Sequence, residues 1–375
     1  MHKSILFILI LTIALVPNCQ QKRTDWKGTI EKVDGVTIIN NPQDPQFNAD
    51  IFRLEEDLVI GKSEGEEEYM FSQINGIDVD DTFNVYVIDS VSAHIRVFDA
   101  EGHFLRTIGR KGQGPGEVQM PYFVQVTSQN ELLVYDYMTQ MMIFYSLEGE
   151  FLRQNSTAET GSFFLPVRLD SLGNFTVVQS LAPLPVGGKI LKRYNSSLEL
   201  ISELAREEKG ERGIFDIGKP TWFCDVSLND NLVWGYSKEY SLQVLNNKSE
   251  LTKIIKRKYR PIEITPEDKK KYRLRYEEPL SYGMKITFRN HFPAYSEILV
   301  DNEERIYVKT YERVKVEEEF YYFDVFDTEG KYIAKVPIRA NLNRNSVWKN
   351  RRLYTIEDDE DGYPIVKRYK VTWNY

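Results

Sequence analysis

Hydrophobic and polar positions along this chain settle into a repeating phrase: an acidic or polar pair, a small turn, then a strand of apolar and aromatic residues. The phrase occurs at Asp80–Val87, Ser128–Val134, Asp170–Val177, Asn229–Trp234, Asp301–Val308 and Lys349–Thr355. Aligned on Asn84, Glu131, Asn174, Asn231, Arg305 and Arg352, the six copies lie 47, 43, 57, 74 and 47 residues apart. Alternating stretches rich in β-branched and aromatic residues predict strands rather than helices. The first copy divides into four of them, Gly76–Val79, Val85–Ile88, His94–Phe98 and Phe104–Ile108, with a turn at Ala100-Glu101-Gly102 before the last. The same second hairpin returns at Ile143–Leu152 and Asp324–Ile333, each with Gly where the turn favours positive φ.

Four strands recurring at this spacing predict an all-β fold: a six-bladed β-propeller of four-stranded antiparallel blades. The sixth copy supplies only three strands, the last at Pro364–Trp373. Leu58–Lys62 matches Arg106–Arg110 in register and precedes the first blade as that piece precedes the second. The N-terminal strand is therefore expected to complete the last blade, which removes two open sheet edges. Upstream, Thr29–Ile39 reads as a hairpin about Asp34-Gly35, with no place assigned to it. The longest spacing marks an insertion, residues 256–294, between the fourth and fifth blades. There Thr265 stands as N-cap, Pro266 at the first helical position and Glu267 and Asp268 in the first turn, so one helix of about three turns is expected. The rest of the chain is expected to be nearly free of helix.

The N-terminus carries an address. Residues 1–18 hold Lys3 and then an apolar run from Ile5 to Val16, too short to span a bilayer and right for a secretory signal. Cys19 follows after Pro17 and Asn18, ahead of Gln20, Gln21, Lys22 and Arg23, and the whole looks like a bacterial lipoprotein signal in which Cys19 becomes the lipidated first residue. Pro17 and Asn18 depart from the small residues usual before such a cysteine, and a signal in which Cys19 is incidental is the alternative. The organisation expected is a signal peptide over 1–18, a lipidated segment with a hairpin over 19–49, and a propeller over 50–375. Such a protein is exported to the cell envelope and tethered to a membrane, periplasmic or surface-facing, without being inserted.

Composition narrows the classes further. With 42% hydrophobic and 28% charged residues, the chain is neither disordered nor a polytopic membrane protein. Its 48 Lys and Arg against 56 Asp and Glu leave a net charge of -8, which removes any general attraction to nucleic acid. If Cys19 is consumed by lipidation, Cys224 has no partner for a disulfide within the chain.

The stretch Ile77–Glu117, ending Gly112-Gln113-Gly114-Pro115-Gly116-Glu117, follows the pattern of NHL repeats. The chain resembles the six-bladed β-propellers of that type, in particular the bacterial exported lipoproteins of this architecture. The resemblance is strong over blades one and two and decays to the strand skeleton beyond, with Leu181–Gly188 and the insertion departing from it. It implies a fold and a habit of binding partners on one face. It implies no chemistry, because the fold hosts lyases, lactonases and interaction modules alike.

Candidate chemistry is sparse. The run Gly109–Glu117 lacks the end of a phosphate loop and reads as a turn from one blade to the next. His94, His103 and His291 show no metal-ligand spacing, and no nucleophile elbow is present. Glu357–Gly362 reads as a solvated acidic hairpin turn rather than a calcium loop. No cofactor is expected, calcium being the one candidate. The related lactonases hold it in the channel with Glu, Asn and Asp from separate blades; Asn75 and Asp89 are candidates to contribute to such a site, and no complete set is assigned. Aromatics cluster before the inner strands, at Phe71, Tyr122, Phe123, Phe163, Phe164, Trp222, Phe223, Phe292 and Tyr295. Asp89, Asp136, Tyr137 and Tyr236 follow the second strands, on the same expected face. Packing between blades competes for these aromatics. Asp89, Tyr122, Asp136, Tyr137, Trp222, Tyr236 and Tyr295 form the candidate ligand platform on the channel face. The basic stretch Lys253–Arg275 reads as a solvated face, with contact to an anionic lipid surface or acidic glycan as the alternative. The expected function is non-enzymatic binding of a protein, peptide or glycan. The alternative is a calcium-dependent lactonase or a lyase, which requires three or four oxygens converging in the channel.

Overall fold

The computed structural model describes residues 25–160, 164–180, 188–207, 213–314 and 320–375. Cys19 with the apolar segment before it, Phe163 and most of Leu181–Gly188 lie outside them. Six antiparallel blades stand around a central channel. Their inner strands are Ile74–Val79, Pro121–Val126, Phe164–Leu169, Trp222–Val226, Glu297–Val300 and Val347–Lys349. The inner strand of blade six meets that of blade one, closing the ring.

The repeated phrase owes its polar start to turn chemistry. In five blades the residue four before the alignment position accepts hydrogen bonds from the backbone of its own turn: Asp80, Thr127, Asp170, Ser227 and Asp301. The residue immediately before the alignment position has positive φ in every copy: Phe83, Asn130, Gly173, Asp230, Glu304 and Arg351. Asn, Asp and Gly suit that conformation, whereas Phe83 and Arg351 are held in it by the surrounding turn. The second hairpin repeats the device at Asp99, Ser146, Asn195, Asn246, Asp327 and Asp359, each capping the N–H four residues on.

Closure occurs as the strand count requires. Phe52–Ile60 pairs antiparallel with Pro364–Trp373, from Trp373 opposite Phe52 to Val366 opposite Ile60. At the bulge in this pairing, buried Arg368 bonds Asp57 at 2.8 Å and the Ala100 carbonyl of blade one at 2.6 Å. The closing strand begins further upstream than Leu58, and Gly61 and Lys62 lie beyond its end.

The N-terminal hairpin finds its place on blade four. Val36–Asn41 lies parallel to the outer strand Leu251–Arg257, and Thr29–Val33 folds back against it, so this sheet has six strands. The chain then crosses blade five, where the N–H groups of Gln46 and Phe47 bond the carbonyls of Tyr332 and Ile333 at 3.1 and 2.9 Å, before closing blade six. One segment is thereby stitched into three blades. Asn41, 2% exposed, is its rivet: Oδ1 accepts from Trp26 Nε1 at 3.0 Å and the Tyr332 N–H at 2.7 Å, and Nδ2 donates to the Gly330 carbonyl at 2.9 Å.

The insertion carries the expected helix, Pro266–Arg275, with Thr265 and Asp268 forming a reciprocal capping box. A second short helix, Glu277–Ser281, follows where none was expected; Pro279 sits near its start, where a missing N–H costs little. A two-stranded parallel sheet, Ile214–Ile217 with Lys285–Phe288, flanks them. Asp268 bonds Arg313 at 2.6 Å and Phe292 stacks on Tyr311 at 4.4 Å, which docks the insertion on blade five. The basic stretch is less of a surface than its sequence suggests. Arg257 is buried and pairs with Asp324 at 2.9 Å, a carboxylate that also accepts from the hydroxyls of Tyr240 and Tyr332 at 2.6 Å each.

Asn41→Ala strands two donors and a carbonyl in a buried site. It is expected to cost about 2 kcal/mol in urea unfolding, and a loss of only a few tenths would show that the strap is not bound in solution.

Candidate functional site

A cavity of about 310 Å³ runs along the propeller axis, bounded by inner strands from all six blades and by the turns that follow them. The position six residues before the alignment point contributes Asp78, Gln125, Arg168, Asp225, Leu299 and Ser346 to its wall, one from each blade. In three blades this side chain clasps the backbone of the next. The Gln125 amide exchanges two 2.8 Å bonds with the N–H and carbonyl of Leu169. Asp78 accepts from the Val126 N–H at 2.6 Å and Asp225 from the Val300 N–H at 2.8 Å, each also taking the N–H of the residue after it at 2.8 Å.

These clasps place charge in a confined space. Burial raises the Asp78 carboxyl above its ordinary range and pushes Asp225 up to about 6, with the backbone donors and the more distant Arg168 opposing the shift. Arg168 itself is half-buried, and its side chain makes no hydrogen bond or ion pair among the described residues. Beside the cavity, burial pushes the Cys224 thiol up to about 12, which makes it a poor nucleophile. Burial also raises the Glu297 carboxyl and lowers Lys189, whose ammonium lies 3.1 Å from the Trp222 carbonyl and 4.3 Å from the centre of its ring.

At one end of the channel, exposed Arg344 leaves the connection between blades five and six. Its guanidinium donates to the Tyr122 hydroxyl of blade two at 3.3 Å, and its N–H donates to Glu297 at 3.2 Å. Tyr122 in turn lies against Tyr137, ring centres 5.9 Å apart. A cation and two partly exposed tyrosines thus meet at the edge of the cavity.

The residues singled out from sequence divide. Tyr122 lines the channel and Tyr137 supports it. Tyr236 is 44% exposed but lies outside the channel wall. Asp89 and Asp136 are fully buried and serve loops: Asp89 accepts from the N–H groups of Ser72, Gln73 and Ser92, Asp136 from those of Gln119, Met120 and Thr139. Trp222 and Tyr295 are buried in the packing around blade four, as Phe71 and Phe292 are buried elsewhere. Their large apolar areas are worth more in a core than at a wet mouth.

Of the two residues offered for calcium, Asn75 lines the channel and Asp89 does not. Both Asp89 oxygens are occupied by backbone donors and the Ser92 hydroxyl, and among the described residues no three His, Cys, Asp or Glu side chains gather in one place. The glycine-rich run is a turn, with the Gly114 N–H on Glu117 at 2.8 Å and Arg110 paired to the same carboxylate. The acidic run is also a turn, Asp359 accepting from the N–H groups of Asp361 and Tyr363. His103 is exposed beside Asp99 at 3.1 Å, and burial, followed by Arg96, lowers His94; neither reaches the channel.

Asp78, Arg168, Asp225 and Arg344 were not among the sequence candidates. The first three share one position of the repeat, so a column of the internal alignment holds the signal.

Asp225 sets a pH dependence with a definite sign. Its value in the folded protein lies above the ordinary 3.8, so the folded state holds a proton that the unfolded chain releases between about pH 4 and 6. The penalty for the charged form is fully present above that window and fades as pH falls through it. Wild-type protein is expected to gain unfolding free energy relative to Asp225→Asn between pH 7 and pH 4, and a pH-independent difference would refute the shift.

The family model described as 6-bladed beta-propeller, DUF5128, matches residues 47–271. Among solved structures, an exported protein from Bacteroides fragilis is similar with a TM-score of 0.53 and 14% identity, covering 90% of this chain and 100% of that one. A DUF4221-family member from Bacteroides vulgatus is similar with a TM-score of 0.50 and 12% identity, covering 86% and 99%. Virginiamycin B lyase from Staphylococcus aureus gives a TM-score of 0.42 and 9% identity, covering 85% and 99%. At these identities the likeness is one of fold. No curated protein sequence matches the chain. With more than half of its residues matched by that model and all six blades in place, the chain belongs to the DUF5128 family of six-bladed β-propellers.

Proposed function

We propose that this protein is an exported propeller of the cell envelope, held to a membrane by a lipid on Cys19, that binds a protein, peptide or glycan at the mouth of its channel without transforming it. The observation that carries the reading is the mouth itself, where Arg344 of one connection reaches Tyr122 across the cavity edge and Tyr122 lies on Tyr137. Arginine and tyrosine combine broad contact area with directed donors at low entropic cost, and they dominate binding hot spots. An extended segment laid over this end would meet both rings and the guanidinium while one of its side chains entered the cavity. The signal-like start, with Cys19 shortly after the apolar run, supports export and tethering.

Two measurements test this reading. Peptide and glycan arrays probed with the wild-type protein are expected to yield ligands whose affinity falls about ten-fold or more in Tyr122→Ala and in Arg344→Ala, with melting temperatures unchanged. Binding that survives both substitutions would move the site elsewhere, and consumption of a bound ligand would favour an enzyme. Separately, an alkynyl fatty acid fed to expressing bacteria is expected to label wild-type protein and not Cys19→Ala; equal labelling would remove the tether.

A further inference from the structure

The channel wall contains several ions, and nearly all are already satisfied. Asp170 pairs with Arg193 at 2.6 Å, Asp81 with Lys349 at 2.6 Å and Asp301 with Arg305 at 3.1 Å, while Asp230 accepts from Ser171. Within the ring three remain, Asp78, Arg168 and Asp225, while Arg344 at the mouth donates to the Tyr122 hydroxyl. Asp78 and Asp225 stand on blades one and four, opposite one another in a ring of six, and Arg168 stands on blade three beside Asp225. Each carboxylate oxygen that accepts a backbone N–H keeps a further acceptor site, and the five guanidinium donors of Arg168 meet no acceptor among the described residues. Arg168 is close enough to influence both carboxylates, yet it approaches neither within the 4.0 Å of an ion pair.

From this geometry we propose that the ring binds a small zwitterion, an α-amino acid or dipeptide, with its carboxylate on Arg168 and its ammonium on Asp225 or Asp78. The inference rests on the channel being a binding site and names the chemistry of its interior. An anion alone would satisfy the guanidinium but would sit in the field of two carboxylates. A cation alone would relieve the carboxylates and leave the half-buried guanidinium without an anionic partner. A molecule carrying both charges answers both deficits, and bidentate pairing with a carboxylate is what the planar guanidinium favours. The cavity, about 310 Å³, is at the small end of ligand sites, which suits a molecule of this size.

Calorimetric titration of the mature protein with glycylglycine, N-acetylglycine and glycinamide tests the assignment. Glycylglycine is expected to bind saturably, with each singly charged probe weaker by roughly ten-fold or more. Arg168→Gln is expected to reduce glycylglycine to the level of glycinamide while leaving glycinamide unchanged, and Arg168→Lys to recover part of the loss. No saturable heat from glycylglycine up to about 20 mM, or equal affinity for either singly charged probe, overturns the zwitterion; so does unaltered glycylglycine binding in Arg168→Gln. The channel-mouth reading fails separately: glycylglycine binding unaffected by Tyr122→Ala and Arg344→Ala, without any array ligand sensitive to them, would leave the ring and remove the mouth.

Discussion

Everything along the axis of this molecule depends on one antiparallel pairing, that of Phe52–Ile60 with Pro364–Trp373. A propeller blade buries each face against a neighbour, so an open ring would expose two apolar sheet faces and two strand edges at once. The two ends of the chain supply the seam, and Arg368 extends it into blade one through Asp57 and Ala100. The cavity is a product of that seam, because its wall takes residues from every blade. The N-terminal strap extends the same logic backward: the segment that leads toward Cys19 is bonded to blades four and five before it closes blade six. A pull on the N-terminus would be borne by three blades rather than by one strand.

The clasps between inner strands show how a structural device and a chemical one come to share a position. Gln125 ties blade two to blade three with a neutral amide, both ends satisfied by Leu169. Asp78 and Asp225 tie their blades with one backbone bond each and introduce a negative charge that burial disfavours. Since an amide at the same ring position performs the clasp without that cost, the clasp alone does not account for the carboxylates. Arg168, which occupies the position in blade three and clasps nothing, does not answer to that role either.

The strands, turns and closure were legible in the sequence because they follow local rules repeated six times. An Asp, Asn, Ser or Thr that caps its own turn marks each hairpin, and a final blade short of one strand calls for a strand from the other terminus. The hairpin Thr29–Asn41 was legible as a hairpin but not in its docking, since parallel pairing with Leu251–Arg257 joins segments more than two hundred residues apart and leaves no local signature. The candidate site was less legible still. Asp89 and Asp136 have the residue type and position of channel acids, yet the N–H groups of the preceding loops converge on them, and only the folded backbone shows which carboxylates are already bonded. Trp222 and Tyr295 misled for a related reason: an aromatic before an inner strand packs between blades as readily as it faces a channel.

Burial of unpaired charge at the centre of a ring has a further consequence for how stability is distributed. Asp225 raised to about 6, and Asp78 displaced in the same direction, mark the channel wall as the place where folding works against itself. Cohesion must therefore come from elsewhere: the packed faces between blades, the paired network of Arg257, Asp324, Tyr240 and Tyr332, and the seam at the outer edge. A ligand that meets the charges of the ring acts on the weakest part of the wall, and its binding energy adds directly to folding stability. Occupancy of the channel and rigidity of the ring are on this view a single equilibrium, with the inner strands as the elements that feel both.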